Sequence, residues 1–334
     1  MKSFIGKCLC MAMTLLCMLV PMNSSAAGSV VAPGDVDANG QVNVADVTVL
    51  IDHLLSGEID AWFDDVNGDG TVSISDVTSL IDGLLTGGVV HASYQGPVIP
   101  ENGEVIDVNG VSLVMIPVEA GSFQYYDLTI HMSGFSIAQT EVTKELWTAV
   151  MGGVYEHTGS YYDISPLQPV ENVTWQECQE FIIKLNEITG REFKLPTWCQ
   201  WTFAAIGGNQ SHYYLYSGSN TLNEVAWNSS NRPSALYISF LYTMPVGLLL
   251  PNELGLYDMS GNVEEWVDDR FPAFSHMGNE LYDPVTEQYP GSTNKRAYCG
   301  GSTNSGSYNL LRPSIVQEYP ESVKKPCLGF RIIL

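Results

Sequence analysis

Apolar residues recur with helical spacing at two places in the first hundred residues. Val47, Leu50, Ile51, Leu54 and Leu55 stand at i, i+3, i+4, i+7 and i+8, and Val77, Leu80, Ile81, Leu84 and Leu85 repeat the pattern at a 30-residue offset. Each set makes one stripe, so two helices are predicted that bury their stripes against each other and stop at Gly57 and Gly87. From Gly88 to Gly103 the periodicity is lost and Pro97 and Pro100 intervene, which reads as a linker over 89–103. Beyond it, about Glu104 to Leu334, apolar runs such as "VSLVMIPVEAGSFQ" and "SGFSIAQTEVT" predict short strands. Three helices are announced by their caps: Thr143 before "KELWTAVMG", Thr174 with Glu177 over "WQECQEFIIKLNEITG", and Thr197 with Gln200 over "WCQWTFAAIGG". Few helices, 31 glycines in the chain and many aromatic residues predict an α+β domain with much irregular backbone.

In front of each early helix stands a polar loop, "DVDANGQVNVAD" from Asp35 to Asp46 and "DVNGDGTVSISD" from Asp65 to Asp76. Oxygen side chains occupy positions one, three and five (Asp35, Asp37, Asn39; Asp65, Asn67, Asp69), and an acid closes position twelve (Asp46; Asp76). Gln41 and Thr71 supply position seven, where the main-chain oxygen binds, and Gly40 and Gly70 allow the sharp turn at six. This is EF-hand ligand spacing, and calcium needs the six to eight oxygens it gathers. The alternative is two acidic turns that bind nothing. Asp instead of Glu at twelve, and no apolar helix before either loop, point away from calmodulin-like sensors.

Residues 33–88 resemble a type I dockerin, a small all-α module with a duplicated calcium-binding F-hand that plugs into the cohesin domains of scaffoldin proteins. The resemblance implies two calcium ions and a cohesin partner. It also places Val44, Ala45, Ile74 and Ser75 on the partner-facing surface, with helix packing or plain exposure as the alternative for those four.

In the second domain, "MIPVEAGSF", "FSIAQTEVTKELWTAVMG", "PVENVTWQECQEFIIKLNEITG", "FKLPTWCQWTFAAIGG", "PNELGLYDMSGNVEEWVDD", "CGGS" and "LGFRII" together resemble the formylglycine-generating enzyme, or sulfatase-modifying factor, family. The fold implied is a glycine-rich variant of the C-type lectin fold over 104–334. Trp147, Trp175, Trp201 and Trp266 read as core aromatics. By resemblance Asp258 and Glu265, with the carbonyls of Gly261 and Val263, would hold one calcium; the alternative is a hydrogen-bonded turn, and Glu264, Glu265, Asp268 and Asp269 also read as a solvated charge run. A second calcium site of the family has less support, because Val225 falls where an asparagine ligand is expected.

The family's oxidation of a substrate cysteine uses two thiolates that bind copper, a soft metal. Ser305 and Leu310 stand at those positions, so no copper and no catalytic residue is expected. Cys299, on the other side of Gly300, reads as a buried apolar residue or half a disulfide. The scattered His131, His157, His212 and His276 lack the three-histidine iron cluster of another branch of the fold. What remains is hydroxyl, amide and aromatic: Ser302, Asn304, Ser305, Tyr308 and Arg312 are the candidate ligand-binding residues for a glycan or peptide, with an ordinary exposed loop as the alternative.

Composition adds an export reading. Lys2 and Lys7 precede an apolar run from Cys8 to Val20, too short to span a bilayer, and small residues up to Ala27 offer cleavage, so 1–27 reads as a signal peptide. A lipid anchor at Cys17 is disfavoured by Leu15 and Leu16 before it. Loss of the two lysines leaves 12 basic residues against 37 acidic ones, a charge that repels nucleic acid. Cys178, Cys199, Cys299 and Cys327 remain, permitting disulfides in three pairings, and neither their spacing nor the histidines suggest zinc. The expectation is a secreted or cell-surface bacterial protein that docks to a cohesin in a polysaccharide-degrading or surface assembly and presents a non-catalytic domain, the alternatives being a divergent oxidoreductase and a purely structural protein.

Overall fold

The computed structural model describes residues 34, 36, 42–57, 64, 66, 72–86, 97–153, 166–231, 243–270, 279–285, 294–305 and 307–334. The chain separates into two units, Met1–Ser93 and Tyr94–Leu334. The proposed signal segment lies outside the described residues, as do Gly87 and the loop positions Asp35, Asp37, Asn39, Gln41, Asp65, Asn67, Asp69 and Thr71. Among the described residues no helix is long and apolar enough to cross a membrane.

The first unit contains α1 (Val44–Ser56) and α2 (Ile74–Thr86). Their stripes meet over four of the five predicted positions in each helix: Val47, Leu50, Val77 and Leu80 are buried in one cluster with Val36 and Val66, and Ile51, Leu54, Ile81 and Leu84 pack against it, whereas Leu55 and Leu85, near the helix ends, are exposed. Helix α1 ends on Gly57 in the left-handed conformation, whose N–H donates to the His53 carbonyl.

Among the described residues, the second unit contains three small sheets. Strands β1 (Glu104–Val108), β2 (Val111–Val118) and β5 (Phe135–Ala138) form an antiparallel sheet in the order β1-β2-β5. Strands β3 (Gly121–Tyr125) and β4 (Leu128–Met132) make a hairpin, to which β7 (Glu280–Tyr282) adds in parallel with Ile130 opposite Leu281. The third sheet, in the order β10-β6-β8-β9, joins β6 (Glu264–Trp266), β8 (Lys295–Cys299), β9 (Gln317–Pro320) and β10 (Leu328–Phe330). Its β10 runs parallel to β6, with Phe330 opposite Trp266.

Helices α3 (Lys144–Met151), α4 (Trp175–Thr189) and α5 (Trp198–Ala205) begin on the predicted caps. Thr143, Thr174 and Thr197 each accept the N–H three residues on, and Glu177 and Gln200 return the bond in two capping boxes. A one-turn helix, α6 (Leu222–Val225), follows. Trp198, Trp201 and Trp266 are fully buried, Trp147 stacks on Phe181 with centroids 5.3 Å apart, and the Arg296 guanidinium lies 3.7 Å over the Trp175 ring. Residues 97–103, read as the end of a linker, are held to this unit: the Val98 carbonyl accepts from Gln139 Nε2 at 2.7 Å and its N–H donates to the Tyr257 hydroxyl.

Candidate functional site

In the first unit the twelfth-position acids head the two helices. Asn43 N–H donates to Asp46 Oδ2 at 2.7 Å and, 30 residues on, Ser73 N–H donates to Asp76 Oδ2 at 2.8 Å; both carboxylates are fully buried. A helix N-terminus favours such negative charge, and a hard cation in the loop in front of it adds the balance that full burial demands. These residues therefore fit calcium. Of the candidate partner-binding residues, Ala45, Ile74 and Ser75 are exposed and Val44 is half-buried. Leu55 and Leu85, which the spacing placed at the ends of the buried stripes, are instead exposed, again at the repeat offset.

In the second unit the segment 257–266 packs tightly. Asp258 (φ 56°), Gly261 (φ 90°) and Asn262 (φ 54°) are left-handed, and a Cβ on Gly261 would lie 2.3 Å from the Trp227 carbonyl oxygen, so only glycine fits. Asn262 ties three segments together: its N–H donates to the Trp227 carbonyl, its side chain exchanges two bonds with the Met244 backbone, and its carbonyl accepts the Thr303 N–H. The acidic run is not a solvated face, for Glu264, Glu265 and Asp269 are buried. Glu264 Oε2 accepts from Lys325 Nζ at 2.7 Å.

Glu265 is committed to protein donors. Its Oε1 accepts from Arg331 Nη2 at 2.8 Å, and its Oε2 accepts from Arg331 Nε and Trp201 Nε1, both at 2.7 Å. Asp258 differs: Oδ2 accepts the Gly247 N–H at 2.7 Å, whereas Oδ1 is buried without a partner. Glu141, a residue that sequence reasoning missed, is buried with both carboxylate oxygens lacking a partner group, its own backbone amide apart. Burial pushes Asp258 up to about 6, and burial together with the Asp258 charge pushes Glu141 well above the usual carboxylate range. Three buried acids thus share one guanidinium, which Glu265 already neutralises. Asp258 and Glu141 must hold protons or a cation, and their unpartnered oxygens fit a hard cation. The signal available in sequence was an acid between Gln139 and Val142, at a position whose neighbours are core.

The GGS turn sits beside this segment, with Gly261 N–H donating to the Gly300 carbonyl at 2.9 Å. Gly301 is left-handed (φ 66°), and a Cβ there would meet the Leu310 carbonyl oxygen and the Leu311 side chain at 2.8 Å. Of the five candidate ligand-binding residues, Ser302 and Ser305 turn inward and close the loop on itself: Ser302 N–H donates to Ser305 Oγ at 2.9 Å, and Ser305 N–H returns to the Ser302 carbonyl. Asn304 and Tyr308 are exposed, and Arg312 is half-buried with its Nε unpartnered. Cys327 reaches the loop from beneath, its Sγ 3.4 Å from Thr303 Oγ1.

All four described cysteines are free and buried, so none of the three disulfide pairings is formed. Burial raises each thiol, Cys327 to about 12 and Cys299 well above its usual range with Glu265 and Asp269 adding to the effect. Such thiols are poor nucleophiles and poor metal ligands.

Residues 109–334 match the sulfatase-modifying factor enzyme 1-like domain. The chain belongs to that family. Residues 33–85 match the dockerin type I domain, so a dockerin precedes the sulfatase-modifying factor domain. The chain is 33% identical over 204 residues to the chaperone protein LppX of Paenibacillus barcinonensis, covering 47% of this chain and 71% of that protein. It is 28% identical over 169 residues to the formylglycine-generating enzyme of Thermomonospora curvata, covering 47% of this chain and 52% of that enzyme, about half its length. Among solved structures, Treponema denticola variable protein 1 superposes with a TM-score of 0.59 at 27% identity, covering 70% of this chain and 99% of that one. The sulfatase-modifying factor domain thus has the C-type-lectin-like architecture expected from its motifs.

Proposed function

We propose that the chain is a calcium-organised docking protein: its dockerin engages a cohesin, and its sulfatase-modifying factor domain offers a binding surface that does not oxidise what it binds. The observation that carries the second half is the closed GGS loop, in which Ser305 spends its hydroxyl on the Ser302 N–H while Leu310 offers no donor atom. Neither residue offers the soft sulfur that copper prefers. The rival oxidoreductase reading would have to use a buried thiol, either Cys327, beside Thr303, which burial pushes up to about 12, or Cys299, which burial raises well above its usual range. Kinship with a protein named as a chaperone favours a polypeptide over a glycan as the ligand of Asn304, Tyr308 and Arg312.

The docking half is tested by passing the full chain over immobilised cohesin in calcium and then in chelator. Retention in calcium and release in chelator are expected; equal behaviour in both buffers contradicts the proposal. In the second domain we assign Asp258 and Glu141 to one calcium, with Gly261 and Val263 carbonyls as further candidates, and Glu265 to Arg331. Glu141→Gln removes one unbalanced charge. It is expected to raise the melting temperature of this domain in chelator and to remove most of the calcium-induced rise, as read by calorimetry; an unchanged calcium response would show that Glu141 binds nothing.

A further inference from the structure

In the larger domain the segments 211–218 and 250–253 lie against each other. Glu253 Oε1 accepts the His212 N–H at 2.8 Å and lies 3.2 Å from His212 Nδ1. Asn252 Nδ2 donates to Ser217 Oγ at 3.1 Å, and a Cβ on Gly218 would lie 2.7 Å from the Pro251 carbonyl oxygen. Beside these joints Tyr213, Tyr214, Leu215 and Leu250 are all exposed, Tyr213 by 86%. One exposed apolar residue is ordinary, but three in a row with a fourth on the adjoining segment make a patch. Tyr213 is also left-handed (φ 57°). That conformation is costly for a bulky side chain, and an exposed ring gains little packing in return. It is nevertheless fixed: Ser211 Oγ accepts the Tyr213 N–H at 3.1 Å, Asn220 Oδ1 accepts the Leu215 N–H at 2.9 Å, and the His212 ring lies 5.4 Å from the Tyr214 ring. Glu253, which holds His212, fills the space in front of Gly207, where a Cβ would fall 2.6 Å from its Oε2.

We infer that Tyr213, Tyr214, Leu215 and Leu250 form a docking surface for an extended polypeptide segment that carries apolar and basic side chains. This surface is additional to the GGS loop and does not depend on a ligand there. Rigidly held tyrosines are what interfaces use as anchors, because little freedom is lost when they bind. A glycan fits less well, since the polar side chains around the patch are engaged within the domain: Ser211 and Asn220 with the loop's own N–H groups, Ser219 with Glu224 at 2.6 Å, and Glu253 with His212. Charge selects a basic partner. The stretches 207–228 and 243–260 contain no Lys or Arg, whereas Glu224 is exposed and its carbonyl accepts the Leu250 N–H. A second copy would bring the same acidic surface onto itself, in a chain of formal net charge −23.

The test is fluorescence anisotropy of the full chain in calcium with three labelled peptides: one alternating Leu and Phe with Lys, one with Glu in place of Lys, and one with Ser in place of Leu and Phe. A labelled cello-oligosaccharide is the fourth probe. Only the peptide that combines Lys with Leu and Phe is expected to bind. Tyr213→Gly keeps the left-handed turn without its strain, so it is expected to raise the melting temperature of the larger domain while weakening that peptide roughly tenfold, the scale of losing one interface anchor. Leu250→Ser should add a further loss. No binding of that peptide, equal binding of the Glu or Ser peptide, or preference for the oligosaccharide would overturn the inference. So would binding kept in Tyr213→Gly and lost in Tyr308→Ala, which would put the peptide on the GGS loop. A melting temperature lowered by Tyr213→Gly would make the ring a packing element, and concentration-dependent dimerisation abolished by Tyr213→Gly would make the occupant a second copy; either result would overturn it too.

Discussion

Chelation is expected to unfold the dockerin while the sulfatase-modifying factor domain stays folded. The dockerin spans roughly fifty residues, with six buried apolar side chains in its core among the described residues, and modules of this size are marginal without a staple. Each ion held at a hundred times its dissociation constant adds about 2.7 kcal/mol, so two add roughly 5 kcal/mol, comparable with the whole stability of a small domain. Calorimetry of the full chain should show two transitions in calcium. In chelator the one assigned to the dockerin should disappear, with a matching loss of helical circular dichroism. Superimposable traces with and without chelator would mean that Asp46 and Asp76 are only helix caps.

Replacing Arg331 is expected to unfold the larger domain. Its guanidinium is fully buried, pairs twice with Glu265, and donates to the carbonyls of Ala138, Gln139 and Tyr257. Arg331→Met keeps the packing but leaves Glu265 buried without its cation, a loss of about 3–5 kcal/mol. The same cluster sets a pH dependence. Without calcium, the folded state holds a proton on Asp258 up to about pH 6 that the unfolded chain releases near pH 4. Folding then binds protons across that window, so stability falls as pH rises from about 4 to about 6, and the raised Glu141 extends the fall in the same direction. Calcium bound as proposed would displace those protons, so its stabilising effect should grow with pH. Melts in chelator and calcium at pH 5 and pH 7.5 check this, and a calcium effect larger at pH 5 would contradict it.

The parts of the fold readable from sequence are those fixed by neighbours along the chain. The stripes of α1 and α2 and the caps at Thr143, Thr174 and Thr197 follow from periodicity and from side chains three residues apart. The sheets were legible only as short strands, because the parallel pairing of β10 with β6 joins Phe330 to Trp266 across a connection whose length no local rule specifies. For the same reason the pairing of Glu265 with Arg331 was not legible: the guanidinium arrives from the end of the chain. Glu141 was invisible because its role depends on burial beside Asp258, and Ser302 and Ser305 looked like surface hydroxyls because the two-way closure of their loop is set by geometry.

We propose that the family fold persists here without the family's oxidative chemistry. That is measured by incubating the calcium-loaded full chain with a cysteine-containing peptide, copper and oxygen, and following loss of the thiol and gain of aldehyde by mass spectrometry. The expected result is peptide recovered unchanged, at the level of a copper-only control. Turnover above that control, abolished by Cys327→Ser or Cys299→Ser, would contradict it.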